Sequence, residues 1–243
     1  MTRTALITGG ARGIGRAIAR RMAEDGWAVA VCYRTSRADG ESLVAEVEAA
    51  GGRALALASD VSQPTACREL VERVSSELGP IDALVNAAGP YHRTPLLKET
   101  VEGWHEMFDH NLHPVFYLAR LVAPAMQERG WGRILTFSMA NADRMVAQPF
   151  VTAHYMAKSA LLILTRSLAK VLGPSGITVN AISPGFIDSG SAPAEELEKM
   201  VKSIPAGYVG ELGDAVSAAR FLLSEEARYV NGANLHLSGG WGV

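Results

Sequence analysis

Apolar residues along this chain fall into two alternating rhythms. Near-continuous hydrophobic runs read as strands covered on both faces: TALIT (4–8), WAVAVCY (27–33), RALALA (53–58), IDALVNA (81–87), RILTFS (133–138), ITVNAIS (177–183) and ANLHLS (233–238). Between them, RAIARRMAEDG (16–26), SLVAEVEAAGG (42–52) and RELVERVSSELG (68–79) repeat apolar positions at helical spacing, and each ends at glycine, a frequent helix stop. Strands alternating with helices predict an α/β fold: a single-domain Rossmann-type doubly wound parallel sheet with helices on both faces. No linker, low-complexity tract or internal repeat interrupts residues 1–243, so one domain is expected.

Two stretches depart from the rhythm. Residues 100–130 read as helical although Pro114 and Pro124 lie inside, and each proline is expected to remove a hydrogen bond and bend the helix. Residues 184–210 are rich in Gly, Ser, Pro and Ala around the charged pattern AEELEKMVKSI. We read them as a mobile flap after the sixth strand. Open sheets bind ligands beyond the carboxyl ends of their strands, so such a flap can close over one.

Composition narrows the classes. A chain of 243 residues, 48% apolar, can bury one sizeable core. Its formal net charge of −2 comes with scattered Lys and Arg, which excludes a nucleic-acid or anionic-membrane footprint. Cys32 and Cys67 lie far apart without ligand-like spacing, so neither a disulfide framework nor a zinc site is expected and the cytoplasm is the natural compartment. The first strand begins at Thr4, leaving no signal peptide, and the apolar run 160–173 carries Arg166 and Lys170 and is too short to span a bilayer. His92, His105, His110, His113 and His236 form no ligand pattern, so no metal is expected.

Candidate chemistry starts at TGGARGIG (8–15), which follows the first strand and opens the first helix. Gly9, Gly13 and Gly15 allow a tight turn and close approach of a pyrophosphate, and the helix N-terminus offers amide donors to it. After the second strand, CYRTSR (32–37) has no acid to hold ribose hydroxyls. Arg34 and Arg37, with Arg12 in the glycine loop, instead suit the extra 2′-phosphate of NADP(H).

A second concentration of ionisable groups is AHYMAKSA (153–160), with His154, Tyr155 and Lys158 at the start of a helix. Tyr91, His92 and Arg93, and likewise Asp143, Arg144 and Gln148, lie in loops at the same end of the predicted sheet and could face a substrate.

TGGARGIG, Asp60-Val61, NAAG (86–89), Asn111, the Lys158 helix, SPG (183–185) and the final LSGG together resemble the short-chain dehydrogenase/reductase family across essentially the whole chain. GITVNAISPGFIDS (176–189) and YVNGANLHLSGGWGV (229–243) look most like the 3-oxoacyl-acyl-carrier-protein reductases. The resemblance implies that Gly9, Gly13, Ile14 and Gly15 hold the cofactor's pyrophosphate, and that Asp60 and Val61 border its adenine. It further implies that Asn86, Ala87, Ala88 and Gly89 line the cofactor, as do Pro184 and Gly185, and that Ile187 and Ser189 contact the nicotinamide.

The family's chemistry uses Asn, Ser, Tyr and Lys. By resemblance Asn111 supports a relay water and Lys158 binds the nicotinamide ribose. The family's Tyr stands four residues before its Lys, and here that position is His154, with Tyr155 three before. Four residues advance about 400° and three about 300°, so both side chains can reach the Lys158 face. His154 is favoured for the site, with Tyr155 its close competitor. The family's Ser is the second of two small residues after the fifth strand. Here Ser138 is first and Met139 second, and an irregular strand end is expected to return Ser138 to the site.

These features predict an NADPH-dependent reductase of a ketone or 3-oxoacyl thioester with altered proton-donor machinery, and the family resemblance implies assembly as a homotetramer or dimer. Two rival readings share the His154 and Met139 departures. One is a redox-inactive partner subunit or cofactor sensor in a hetero-oligomer with another family member. The other is a non-redox dehydratase or isomerase.

Overall fold

The computed structural model describes residues 2–189 and 194–242. Seven strands form one sheet: β1 (Thr4–Thr8), β2 (Ala28–Tyr33), β3 (Ala54–Ala58), β4 (Ile81–Asn86), β5 (Gly132–Phe137), β6 (Ile177–Pro184) and β9 (Asn234–Leu237). Their order is β3-β2-β1-β4-β5-β6-β9, and every pairing is parallel. The chain therefore builds outward from β1 in one direction and from β4 in the other. Thr8 pairs with both Cys32 and Asn86, so the crevice where the order reverses opens beside the glycine loop.

Helices α1 (Gly13–Glu24), α2 (Arg37–Ala49) and α8 (Leu212–Leu223) cover one face; α3 (Pro64–Glu77), α5 (His113–Arg129) and α6 (Thr152–Leu172) cover the other. Neighbouring strand residues divide between two cores accordingly. Leu6, Ala30 and Leu84 pack with Leu70, Leu118 and Leu172, whereas Ile7, Val31 and Val85 pack with Ile18, Leu43 and Leu222. Double coverage explains why the strands read as continuous apolar runs rather than as alternation. The glycines read as helix stops behave as such: Gly26, Gly51 and Gly79 all adopt positive φ beyond α1, α2 and α3.

The proline-containing stretch is not one bent helix. Helix α4 (Val101–Asn111), capped by the Thr100 hydroxyl on Gly103 N, ends before α5 begins, and Pro114 lies in the first turn of α5. A first-turn nitrogen has no intrahelical partner to lose, so Pro114 starts a helix; Pro124 alone sits within one.

Residues 184–210 hold defined elements. Strand β7 (Ile187–Asp188) pairs with β8 (Gly210–Glu211), and α7 (Ala194–Val201) lies between them. Residues 190–193 of the segment fall outside the described residues.

Candidate active site

The loop from β1 into α1 is shaped by close backbone approach. A Cβ on Gly9 would lie 2.9 Å from Ala88 Cα, and φ there is +64°. One on Gly15 would lie 2.5 Å from Gly9 O. Thr8 Oγ1 accepts hydrogen bonds from Ala87 N at 3.2 Å and Ala88 N at 3.1 Å, which ties the glycine loop to the end of β4. Arg12 stands at the N-cap of α1 with no side-chain cap and no acid in the first turn, leaving the amide end uncompensated.

Beside this loop lies a cavity of about 550 Å³. Its walls include Gly9, Arg12, Arg34, Asp60, Val61, Ala87, Ala88 and Gly89, so the structure brings together these residues singled out in sequence. Tyr33, Thr35, Ser36, Ser59, Pro90 and His110 also line it and were missed. His110 directly precedes Asn111, but only its side chain, reaching from the last turn of α4 to Arg34 and Asp60 in the loops after β2 and β3, brings it to this wall. Arg37 lies elsewhere: it begins α2, pairs with Glu41 at 2.7 Å, and lines an adjoining depression with Tyr33 and Arg73. Arg34 and Thr35 line both hollows, so the three arginines lie along two adjoining spaces that meet at Arg34.

Asp60 borders the cavity with its pKa lowered. Burial pushes it up, but the hydrogen bonds from Ser62 and the positive Arg34 guanidinium beside it outweigh burial. Cys32 lines the same space as an inert thiol, pushed up to about 12 by burial. The missing Cβ atoms, the uncompensated helix end and the arginines fit a dinucleotide. Asn86 Nδ2 and Oδ1, buried without a protein partner at the end of β4, fit a further polar ligand there.

At the other end of the crevice, the first turns of α6 carry the ionisable groups. Lys158 is buried and donates from Nζ to Phe137 O at 2.7 Å, and burial pushes its pKa down to about 8. His154, one turn earlier, is also buried, and its Nδ1 has no partner. Its pKa is pushed down to about 3, first by burial, then by Lys158, then by His92. The imidazole is therefore neutral at ordinary pH. Tyr91 packs edge-on against it at 5.1 Å, and His92 pairs with Glu99 at 2.7 Å. Asn111 ends α4 with Nδ2 donating to Pro90 O at 3.1 Å and Oδ1 buried and unpartnered. A Cβ on Gly89 would overlap Asn111 Oδ1 and lie 3.4 Å from Lys158 Nζ, so both groups crowd the same backbone.

Two expectations need correction. Ser138 does not turn its hydroxyl toward a substrate; Oγ donates to Lys158 O at 2.8 Å, locking the end of β5 to α6. The longer loop after β5 leaves the strand regular, so no slip reverses the faces: Met139 follows and packs on Ala142, Leu162 and Ala181. Tyr155 likewise leaves the Lys158 side. Its hydroxyl donates to Asn141 O at 2.6 Å and accepts from Val146 N at 3.2 Å, clamping a loop in which Asn141 and Met145 both have positive φ. The roughly 100° between neighbouring helix positions separates the two candidates.

The loops outside the crevice divide as well. Thr94 N and Leu96 N donate to Phe150 O and Pro149 O, both at 2.8 Å, and Arg93 lies over the Phe150 ring. Tyr91, His92 and Arg93 thus form a rim ahead of α6. Asp143 is held away from it by His236 at 2.9 Å. Pro184 ends β6 and Gly185 follows it, Ile187 begins β7 and Ser189 follows that strand, and a Cβ on Gly185 would lie 2.9 Å from Ser238 Cβ. Among the described residues, no group of His, Cys, Asp and Glu could hold a metal ion, and no helix is long and apolar enough to cross a membrane.

Residues 9–242 match the family described as Enoyl-(Acyl carrier protein) reductase. The chain is a short-chain dehydrogenase/reductase. It is 35% identical to the 3-oxoacyl-[acyl-carrier-protein] reductase FabG of Staphylococcus aureus, over 99% of this chain and 98% of that one. The protein of the same name from Escherichia coli K12 is 34% identical over 97% and 96%. Among solved structures, a blue fluorescent protein from a metagenomic library in complex with NADPH superposes with a TM-score of 0.93 and 37% identity, covering 99% of this chain and 98% of that one. A Serratia marcescens short-chain dehydrogenase/reductase mutant gives 0.93 at 33% identity over 99% and 98%. This family member is thus an oxidoreductase by descent, with the doubly wound sheet of its relatives.

Proposed function

We propose that this chain is an NADPH-dependent reductase of a ketone or 3-oxoacyl thioester in which His154 replaces the usual proton donor. The observation that carries this reading is the buried, neutral His154 one turn before Lys158, while Tyr155 and Ser138 bond their hydroxyls to backbone carbonyls. The NADPH-bound relative and the 3-oxoacyl reductases support the cofactor and substrate class.

NADPH, when bound, supplies the hydride equivalent. In this reading Arg12, Arg34, Asp60 and Val61 hold its adenosine end, Asn86 to Gly89 its middle, and Lys158, Pro184, Gly185, Ile187 and Ser189 its nicotinamide end. Strands β7 and β8 with α7 form the flap that excludes water from it. His154 offers a ring N–H to the carbonyl oxygen, where negative charge develops, in a buried site that strengthens that hydrogen bond. A neutral imidazole can release a proton from one ring nitrogen while taking one up on the other, so no imidazolium accumulates. Lys158, its pKa pushed down by burial to about 8, replenishes the proton, and the unpartnered Asn111 Oδ1 holds a relay water.

The rim residues Tyr91, Arg93 and Phe150 contact the substrate beyond its carbonyl. Exposed Phe116 on α5, with Met156 and Ile163 on α6, supports assembly into a homo-oligomer through these helices. The buried free thiols Cys32 and Cys67 suit a reducing cytoplasm.

One observation favours a second reading. Apolar Met139 follows Ser138 where the family expects its serine, so the oxyanion loses a hydroxyl donor. A redox-inactive partner subunit would have that feature. NADPH oxidation followed with 3-oxoacyl thioesters and small diketones separates the two. We expect turnover in wild type and in Tyr155→Phe, and a loss of about 100-fold or more in His154→Phe. Tight NADPH binding without turnover on any carbonyl would replace the reductase with the partner reading.

A further inference from the structure

The adenosine end of the cavity holds a contact that the reading above does not use. Arg12 Nε pairs with Asp39 at 2.5 Å, and Arg37 Nε pairs with Glu41 at 2.7 Å, so each guanidinium meets a carboxylate. Arg34 differs: its Nη1 lies 3.1 Å from His110 Nε2.

The partners fix the imidazole's tautomer. His110 Nδ1 lies 3.1 Å from Glu106 O, which can only accept, so Nδ1 carries the hydrogen. A guanidinium can only donate, so Nε2 accepts. As an acceptor, His110 restrains Arg34 without placing a carboxylate in direct contact with it. Asp60 Oδ1 lies 3.5 Å from the same Nε2 and accepts from Ser62 N at 3.1 Å. Arg34, Asp60 and His110 all border the cavity, just after β2, just after β3 and in the last turn of α4.

We propose that His110 is a positioning residue for a 2′-phosphate: it holds the Arg34 guanidinium at the cavity wall with no carboxylate in direct contact and its other N–H donors free for a phosphate monoester. This rests on the NADPH assignment made above. A long, flexible arginine must otherwise be ordered when the phosphate arrives, and a prior hydrogen bond reduces that loss. A dinucleotide without the 2′-phosphate has nothing for this arginine to recognise, so His110 governs preference between cofactors rather than overall affinity.

The test is binding of NADPH and of NADH to the full chain, followed by nicotinamide fluorescence, with no turnover required. His110→Leu should weaken NADPH about fivefold and leave NADH unchanged. His110→Gln, whose amide oxygen can accept from Nη1, should recover most of the loss. In an Arg34→Ala background, His110→Leu should have no further effect. If His110→Leu does not fold, His110→Phe keeps ring volume without an acceptor and carries the same expectation. Equal weakening of both cofactors, an unchanged preference, or additive losses in the double variant would overturn the inference. Wild-type protein that binds NADH but shows no preference for NADPH would overturn the cofactor assignment and this inference with it.

Discussion

The two ends of the crevice are built from the same sheet by different means. The nucleotide end is mostly backbone: glycines that admit no Cβ, an uncompensated helix N-terminus, and Thr8 tying β1 to the end of β4. The α6 end is made of side chains packed to within hydrogen-bonding distance of one another's backbones, with Lys158 on Phe137 O, Ser138 on Lys158 O and Tyr155 on Asn141 O. A backbone site depends on a few glycines and tolerates change around them. A side-chain site can exchange a residue for its neighbour on the helix, and here His154 keeps a buried ring nitrogen without a partner while the Tyr155 hydroxyl is taken up by the loop after β5.

The sharpest way to break this contrast is to add side-chain atoms to the backbone end. Gly9→Val places a branched Cβ at +64° against Ala88. We expect NADPH affinity to fall about 100-fold or more by fluorescence titration, against about 2 kcal/mol or less of lost stability. Retained affinity would mean that the glycine loop does not hold the cofactor.

The other end is exposed through its electrostatics. His154 has its folded pKa depressed from 6.5 to about 3, so the unfolded chain binds the extra proton first as the pH falls. The associated stability is fully present above about pH 6.5 and is lost progressively toward about pH 3. Between about pH 7 and pH 5, wild type should lose roughly 2 kcal/mol relative to His154→Phe in urea unfolding. Parallel curves for the two proteins would show that His154 is not buried and neutral.

The smallest effect sharpens the comparison. Ser138→Ala removes one buried hydrogen bond to the Lys158 carbonyl and should cost about 1 kcal/mol of stability while leaving kcat unchanged. A large fall in kcat, with stability intact, would return the serine hydroxyl to the chemistry.

Much of this molecule is legible in the chain. The β1 to β6 runs and the glycine stops were readable because double burial makes strands continuously apolar and because only glycine enters positive φ without cost. The glycine loop was readable for the same reason: its chemistry is backbone conformation, which local sequence specifies. Family membership could be read from motifs spread over the whole length, and the comparisons bear it out.

Side-chain direction is another matter. Both His154 and Tyr155 lie within reach of Lys158 along the helix, and local spacing does not choose between them. The choice follows from the loop after β5, whose Asn141 carbonyl and Val146 amide capture the tyrosine hydroxyl. Ser138 is captured in the same way by a carbonyl 20 residues downstream. His110 joined the nucleotide end only because the fold brings the last turn of α4 within reach of the loop after β2, where its ring meets Arg34 from 76 positions away. Local sequence therefore determined the elements, the sheet they build and the site made of backbone. Tertiary packing decided which ionisable groups stay free to act, because a buried hydroxyl or imidazole is directed by whichever polar partner the fold brings within 3 Å or so of it.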